Sequence, residues 1–132
     1  MRLSALSLLL AAAAFTGAGL TFLAAPGLLV LVDLAPATAT ARSDVRAVFG
    51  GLELGVGAWL ALCARRPTWH RPALVAQALT FGGLAAGRLL SLVIDGVPRG
   101  VTFALWAPEL SGAVLAVLAL RQIRTAPAPP AR

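Results

Sequence analysis

Hydrophobic residues fill four long runs along the chain, and polar or charged residues gather between them. The runs are Leu3–Ala25, Val45–Ala64, Pro72–Ile94 and Val101–Leu120. Each reaches the ~20 residues that span ~30 Å of hydrocarbon at ~1.5 Å per residue. The pattern predicts an all-α fold, a four-transmembrane-helix bundle. The first run continues past Ala25 to Val32, and a straight helix over that length would be ~45 Å long, too long for one vertical crossing. Pro26–Gly27 is the expected bend, because proline removes a helix hydrogen bond and clashes with the preceding turn. Gly27–Leu34 then becomes a short bent or interfacial segment after the first helix. Ser43 and Asp44 predict the start of the second helix, and Arg65–Arg66–Pro67 its end. Pro72 opens the third helix, and Asp95–Gly96–Val97–Pro98 closes it. Thr125–Arg132, with three prolines, cannot build a core and predicts a disordered tail. The domain is therefore expected over residues 1–124.

Composition agrees with a bilayer setting. The chain has 132 residues, is 59% hydrophobic and only 12% charged, whereas soluble domains carry about 25% charged residues. The net charge is +6, but the arginines that supply it stand singly or in pairs between apolar runs. No basic helix face or nucleic-acid motif is present, which excludes nucleic acid as a partner. Topology explains the charge better. Arg2, then Arg65, Arg66 and Arg71 in the second connection, and the tail arginines Arg121, Arg124 and Arg132, have no acids among them. The first connection mixes Asp33, Arg42 and Asp44, and the third mixes Asp95 and Arg99. The positive-inside rule predicts both termini in the cytoplasm and the protein in the inner membrane. The first run resembles a secretory signal ending at Ala24–Ala25, but its apolar stretch is longer than a signal core, so a retained helix is expected.

Glu53, Arg88 and Glu109 lie deep inside the apolar runs. A charge at the bilayer centre costs at least ~2.5–3.5 kcal/mol, so such residues are expected to find partners or a ligand. Counted from Val45, Ile94 and Val101, their depths are ~12, ~9 and ~12 Å below the outer helix ends. Helical periodicity places Arg46, Gly50, Glu53 and Gly57 on one face of the second helix, and Arg88, Ser91 and Asp95 on one face of the third. Trp106, Glu109 and Gly112 form a comparable stripe on the fourth. Two arginines and three acids are thus expected to meet in a funnel opening outward, with Arg88 touching both Glu53 and Glu109. One reading is an internal ion-pair network, for which a forked guanidinium is well suited. Another is a polar pocket for a small ligand or a lipid headgroup. A proton path is disfavoured because an arginine between two carboxylates keeps both ionised. The same arginine works against acid/base hydrolysis, which needs the two carboxyls pushed apart in acidity.

Gly51 and Gly55 are four apart, as are Gly83 and Gly87, a spacing that lets helix backbones approach closely in lipid. Packing within one bundle is expected from them, with a homodimer or larger membrane complex left open. Cys63 is the only cysteine, which rules out a disulfide or redox pair within one chain; it should pack as a small apolar residue. His70, the only histidine, lies beside Trp69 and suggests an interfacial role rather than metal binding. Gln77 should hydrogen-bond a neighbouring helix. No catalytic set, phosphate loop or metal spacing is present, and the sequence implies no cofactor.

Three runs carry a family resemblance: Arg46-Ala-Val-Phe-Gly-Gly-Leu-Glu-Leu-Gly-Val-Gly57, Phe81-Gly-Gly-Leu-Ala-Ala-Gly-Arg-Leu-Leu-Ser91 with Asp95-Gly96, and Pro108-Glu109-Leu110. They resemble an uncharacterised group of small bacterial four-helix membrane proteins, the domain of unknown function 4345 family. The resemblance covers about Ala25 to Leu120. It implies a four-helix bundle in which Arg46, Glu53, Arg88 and Glu109 matter. The group is similar in architecture to DoxX-like proteins, some of which are associated with quinone-linked oxidation; that link is fold-level analogy. The expected function is a non-enzymatic accessory or small-ligand- or lipid-binding bundle. The alternatives are a membrane subunit of a quinone-linked redox system or a small dimeric transporter. Four-helix multidrug exporters resemble the chain poorly, since its first span has no acidic residue.

Overall fold

The computed structural model describes residues 2–125, which form helices and connecting turns with no strand. Helix α1 spans Leu3–Ala24 and is followed by a 3-10 helix over Pro26–Val32. Helix α2, Ala39–Ala64, is one rod of three parts: α-helical Ala39–Val45, a π-helical segment Arg46–Leu52, and α-helical Glu53–Ala64. A 3-10 turn, Pro67–Trp69, leads into α3, His70–Ile94, and α4 runs over Gly100–Thr125. All four helices are long and apolar enough to cross a membrane. The proline-rich tail expected from Thr125 onward lies outside the described residues, Thr125 itself excepted as the last helical position.

Each boundary has a local cause. The first helix stops before Pro26 as expected, and the 3-10 helix turns back over the bundle with Pro26 and Leu29 buried, touching α1, α2 and α4. It ends at Asp33, which adopts a left-handed backbone, φ 61°, a conformation that aspartate tolerates better than most residues. Helix α2 starts earlier than Ser43–Asp44 suggested. The Thr38 hydroxyl accepts the Ala41 N–H at 3.1 Å, so the cap sits more than a turn upstream, and Ser43 and Asp44 become exposed residues of the helix itself. Likewise α3 begins at His70, and Pro72 falls inside its first turn, where a missing N–H costs nothing. At the far end Asp95 caps α3, and Gly96, at φ 91°, turns the chain toward α4.

Two antiparallel hairpins, α1 with α2 and α3 with α4, make the bundle, and α1 also packs on α3 and α4. Helices α2 and α3 meet only sparsely. In the α1–α2 seam the backbones nearly touch. A Cβ on Gly57 would lie 2.5 Å from Thr16 Oγ1, one on Gly19 would lie 2.9 Å from the Gly50 carbonyl oxygen, and one on Gly50 would lie 2.7 Å from the Leu23 side chain. Gly112 serves α3–α4 in the same way, 2.6 Å from the Phe81 ring. The expected packing role of the other glycines fails. A Cβ on Gly55, Gly83 or Gly87 would meet nothing within 4 Å, and one on Gly51 would meet only its own helix. These four face outward because the helices that carry them, α2 and α3, scarcely pack on each other.

Leu8, Leu60, Cys63, Leu74, Phe81 and Ala116 anchor the buried core, and Cys63 packs as the small apolar residue expected. Outside it, Val93 is 77% exposed, Leu79 72% and Ile94 69%. Apolar exposure on that scale suits hydrocarbon, since in water burial of such surface is worth about 25 cal/mol per Å². The close seam gives a direct test. Gly57→Ala should lower bundle stability by roughly 1–3 kcal/mol through overpacking against Thr16, whereas Gly55→Ala should leave it unchanged or raise it by up to about 1 kcal/mol. Unfolding of detergent-solubilised protein followed by circular dichroism would measure both.

Candidate functional site

The half of the α3–α4 hairpin nearer their connection holds an ion pair. Arg88 Nε donates to both carboxylate oxygens of Glu109, at 2.9 and 2.8 Å. The Glu109 side chain is 9% exposed and that of Arg88 30%. Side chains lean toward the N-terminus of their own helix. In antiparallel α3 and α4 that tilt points Arg88 and Glu109 toward each other, so two residues offset along the helices can meet. Phe81 packed on Gly112 sets the register that permits it.

Glu53 does not join them. It lies in the chain between Gly50 and Gly57, the two glycines that pack against α1. It forms no ion pair among the described residues, and its Oε2 is enclosed with no hydrogen-bond partner among them. The expected fork of Arg88 between Glu53 and Glu109 is therefore corrected to a single pair. The sparse α2–α3 contact keeps Glu53 away from Arg88. Arg46, Gly50 and Gly57, expected on one face with Glu53, all meet α1, so that face of α2 turns to α1 rather than to Arg88.

The remaining members of the expected funnel are also dispersed. Arg46 Nε donates to the Leu23 carbonyl at 3.1 Å, tying α2 to the end of α1. Ser91 Oγ donates to Asp95 Oδ2 at 2.7 Å, an exposed local bond at the tip of α3. Trp106 is half-buried beside Phe103, and its Nε1 has no partner among the described residues. Asp33 pairs with Arg99 at 2.9 Å, joining the first and third connections.

A second polar seam occupies the opposite half. Gln77 Nε2 donates to Ser7 Oγ and to the Gly112 carbonyl, both at 3.0 Å, which bears out the expected interhelical bond. His70 is buried at the start of α3. Its Nε2 donates to the Ala64 carbonyl at 3.1 Å, leaving Nδ1 to accept from the Ser4 hydroxyl at 2.8 Å. His70, Gln77 and Arg88 are 7 and 11 residues apart, spacings that return to one helix face within ~20°. That periodicity was present in the sequence and identifies the polar stripe by which α3 holds its neighbours.

Two shallow cavities stand apart from all of these groups. One, about 230 Å³, is lined by Leu29, Leu34, Pro36, Ala41, Val45 and Phe49 under the 3-10 helix. The other, about 300 Å³, lies along α4 from Ala113 to Arg121. No cluster of three or more His, Cys, Asp or Glu side chains forms among the described residues.

Fold and site together define a four-helix bundle with apolar, membrane-length helices and a charge pair buried inside it. The chain matches the family described as Domain of unknown function (DUF4345) over residues 3–120. It belongs to that family. No curated protein and no solved structure matches it.

The pairing predicts a specific coupling. Arg88→Leu should cost up to ~3–5 kcal/mol because it strands the buried Glu109 charge, and Arg88→Lys should restore only part, lacking the planar fork. Arg88→Gln with Glu109→Gln should be non-additive by ~0.5–3 kcal/mol, while Arg88→Gln with Glu53→Gln should add within ~0.5 kcal/mol. Double-mutant cycles on purified protein would read these values, and a strong Arg88–Glu53 coupling would contradict the geometry.

Proposed function

We propose that the protein is a multi-pass protein of the bacterial inner membrane, with both termini cytoplasmic, acting as a non-enzymatic accessory bundle that holds a lipid-like molecule near its outer face. The observation that carries this reading is the Arg88–Glu109 pair. It is satisfied within the chain and lines neither cavity, so it works as a brace between α3 and α4. The outer cavity is apolar and lies between the 3-10 helix and the start of α2. Its lining suits a hydrocarbon or isoprenoid segment, such as a lipid or quinone tail, better than a charged substrate.

The ends of the bundle support the orientation. Ser4, His70 and Ala64 are bonded together, which gathers the amino end of α1 with the arginine-rich second connection. Asp33 and Arg99 are bonded at the other end, where acids and arginines mix. Exclusion of unbalanced arginine from the outer side is what the positive-inside rule expects.

Single cysteines in a Cys63→Ala background test the reading. An impermeant thiol reagent added to intact cells should label Thr40→Cys and Gly100→Cys but not Thr68→Cys. Outside labelling of Thr68→Cys would overturn the orientation. Mass analysis of the purified protein should find a co-purifying lipid or quinone that Val45→Trp, which fills the cavity, displaces. A retained molecule in that variant would move the binding site elsewhere.

A further inference from the structure

The end of the bundle opposite the Asp33–Arg99 pair carries arginine without acid. Three hydrogen-bonded groups meet there: the His70 ring holds the Ser4 hydroxyl at 2.8 Å and the Ala64 carbonyl at 3.1 Å. They belong to the start of α3, the start of α1 and the end of α2. Arg2 lies two residues from Ser4, Arg65 and Arg66 one and two from Ala64, and Arg71 one from His70. Two residues of chain reach at most ~7 Å, so the bonds gather four arginines from three segments around one buried histidine. All four are exposed. None of them forms an ion pair among the described residues, whose ion pairs are Arg88–Glu109 and Asp33–Arg99.

The chain has no acid to offer them. Its five acids are Asp33, Asp44, Glu53, Asp95 and Glu109. Asp33 follows the far end of α1, Asp44 is near the start of α2 and Asp95 follows α3, so these three lie at the other end. Glu109 is bonded to Arg88. Glu53, the nearest along the chain, is twelve residues before Arg65. That is ~18 Å along α2, beyond the ~8 Å screening length of physiological salt. The turn that carries the arginines is well held. Pro67–Trp69 is a 3-10 turn in which the Trp69 N–H donates to the Arg66 carbonyl at 2.9 Å, and the Arg66 guanidinium lies 5.1 Å from the centre of the Trp69 ring. Trp69 is 42% exposed. A half-exposed indole at the end of membrane-length helices sits at the headgroup layer, where lipid phosphates are the abundant anions.

We infer that this arginine end is a docking surface for anionic phospholipid, with the lipid phosphate among Arg2, Arg65, Arg66 and Arg71 and the acyl chains along the outside of the bundle. A guanidinium fork matches phosphate oxygens two at a time. A zwitterionic lipid brings its own cation beside the phosphate and gains less, so net negative charge is what the surface selects. The positive-inside rule concerns only how many arginines a connection carries. Here hydrogen bonds bring those of the amino end and of the second connection to one place. The surface is separate from the apolar cavity under the 3-10 helix, whose lining residues lie at the other end, and the inference holds whichever way the bundle faces.

Native mass spectrometry of the full-length protein, released from nanodiscs of equimolar phosphatidylglycerol and phosphatidylcholine with matched chains, reads the selectivity. Each arginine near an anionic surface is worth about fivefold in binding. The wild type should therefore retain phosphatidylglycerol over phosphatidylcholine by roughly fivefold or more. Arg65→Gln with Arg66→Gln should bring the ratio close to equality. Arg42→Gln with Arg99→Gln, an equal loss of charge at the other end, should leave it within about twofold of the wild type. Equal retention of the two lipids by the wild type overturns the inference, also where inorganic phosphate binds in their place. An equal fall in both double variants overturns it too, because the preference then follows total charge. Val45→Trp should keep the ratio. Its loss there would put the lipid in the apolar cavity and overturn the inference, whereas failure of the cavity reading alone leaves the ratio as it is. The wild-type ratio needs no substitution, so it decides even if a variant misfolds.

Discussion

Hydrocarbon offers no hydrogen bonds, so polar side chains on helices this apolar gain most from partners inside the bundle. This constraint organises α3. His70, Gln77 and Arg88 lie on one stripe and together tie α3 to all its neighbours: His70 to α1 and the end of α2, Gln77 to α1 and α4, Arg88 to α4. Apolar contact alone gives little preference among helices when lipid is equally apolar. The polar bonds therefore fix which face of α3 turns inward and at what height. Ala73, Leu74, Phe81 and Ala85 fill the same stripe between them.

The α1–α2 hairpin is held by a different means. Gly19, Gly50 and Gly57 remove the side chains that would separate the two helices along their middle. Close backbone approach increases dispersion contact, which remains effective in lipid. One hairpin is thus packed by the absence of side chains and the other is tied by polar ones. Helix α1 joins the two, which explains why α2 and α3 can remain sparsely in contact. The same arrangement leaves Glu53 apart from the Arg88–Glu109 pair and gives the bundle two acids with unlike surroundings.

The sequence by itself determined the four spans, because length and apolar composition follow from bilayer thickness without reference to any neighbour. It determined the break at Pro26, the turn after Asp95 and the interhelical bond of Gln77, since each depends on local chemistry. It also placed Glu53, Arg88 and Glu109 inside apolar helices, which is a matter of counting along the chain. Direction around the axis was left to the tertiary structure. Periodicity groups residues on a face of a helix but does not say which neighbour that face will meet. The choice between Gly50 and Gly57 as packing glycines and Gly51, Gly55, Gly83 and Gly87 as outward ones depends on which helices become neighbours, and all six have suitable spacing. The pairing of Arg88 with Glu109 rather than Glu53 was settled the same way. Two carboxylates inside apolar helices are equivalent along the chain, and only the lateral arrangement of the helices decides which one the guanidinium can reach.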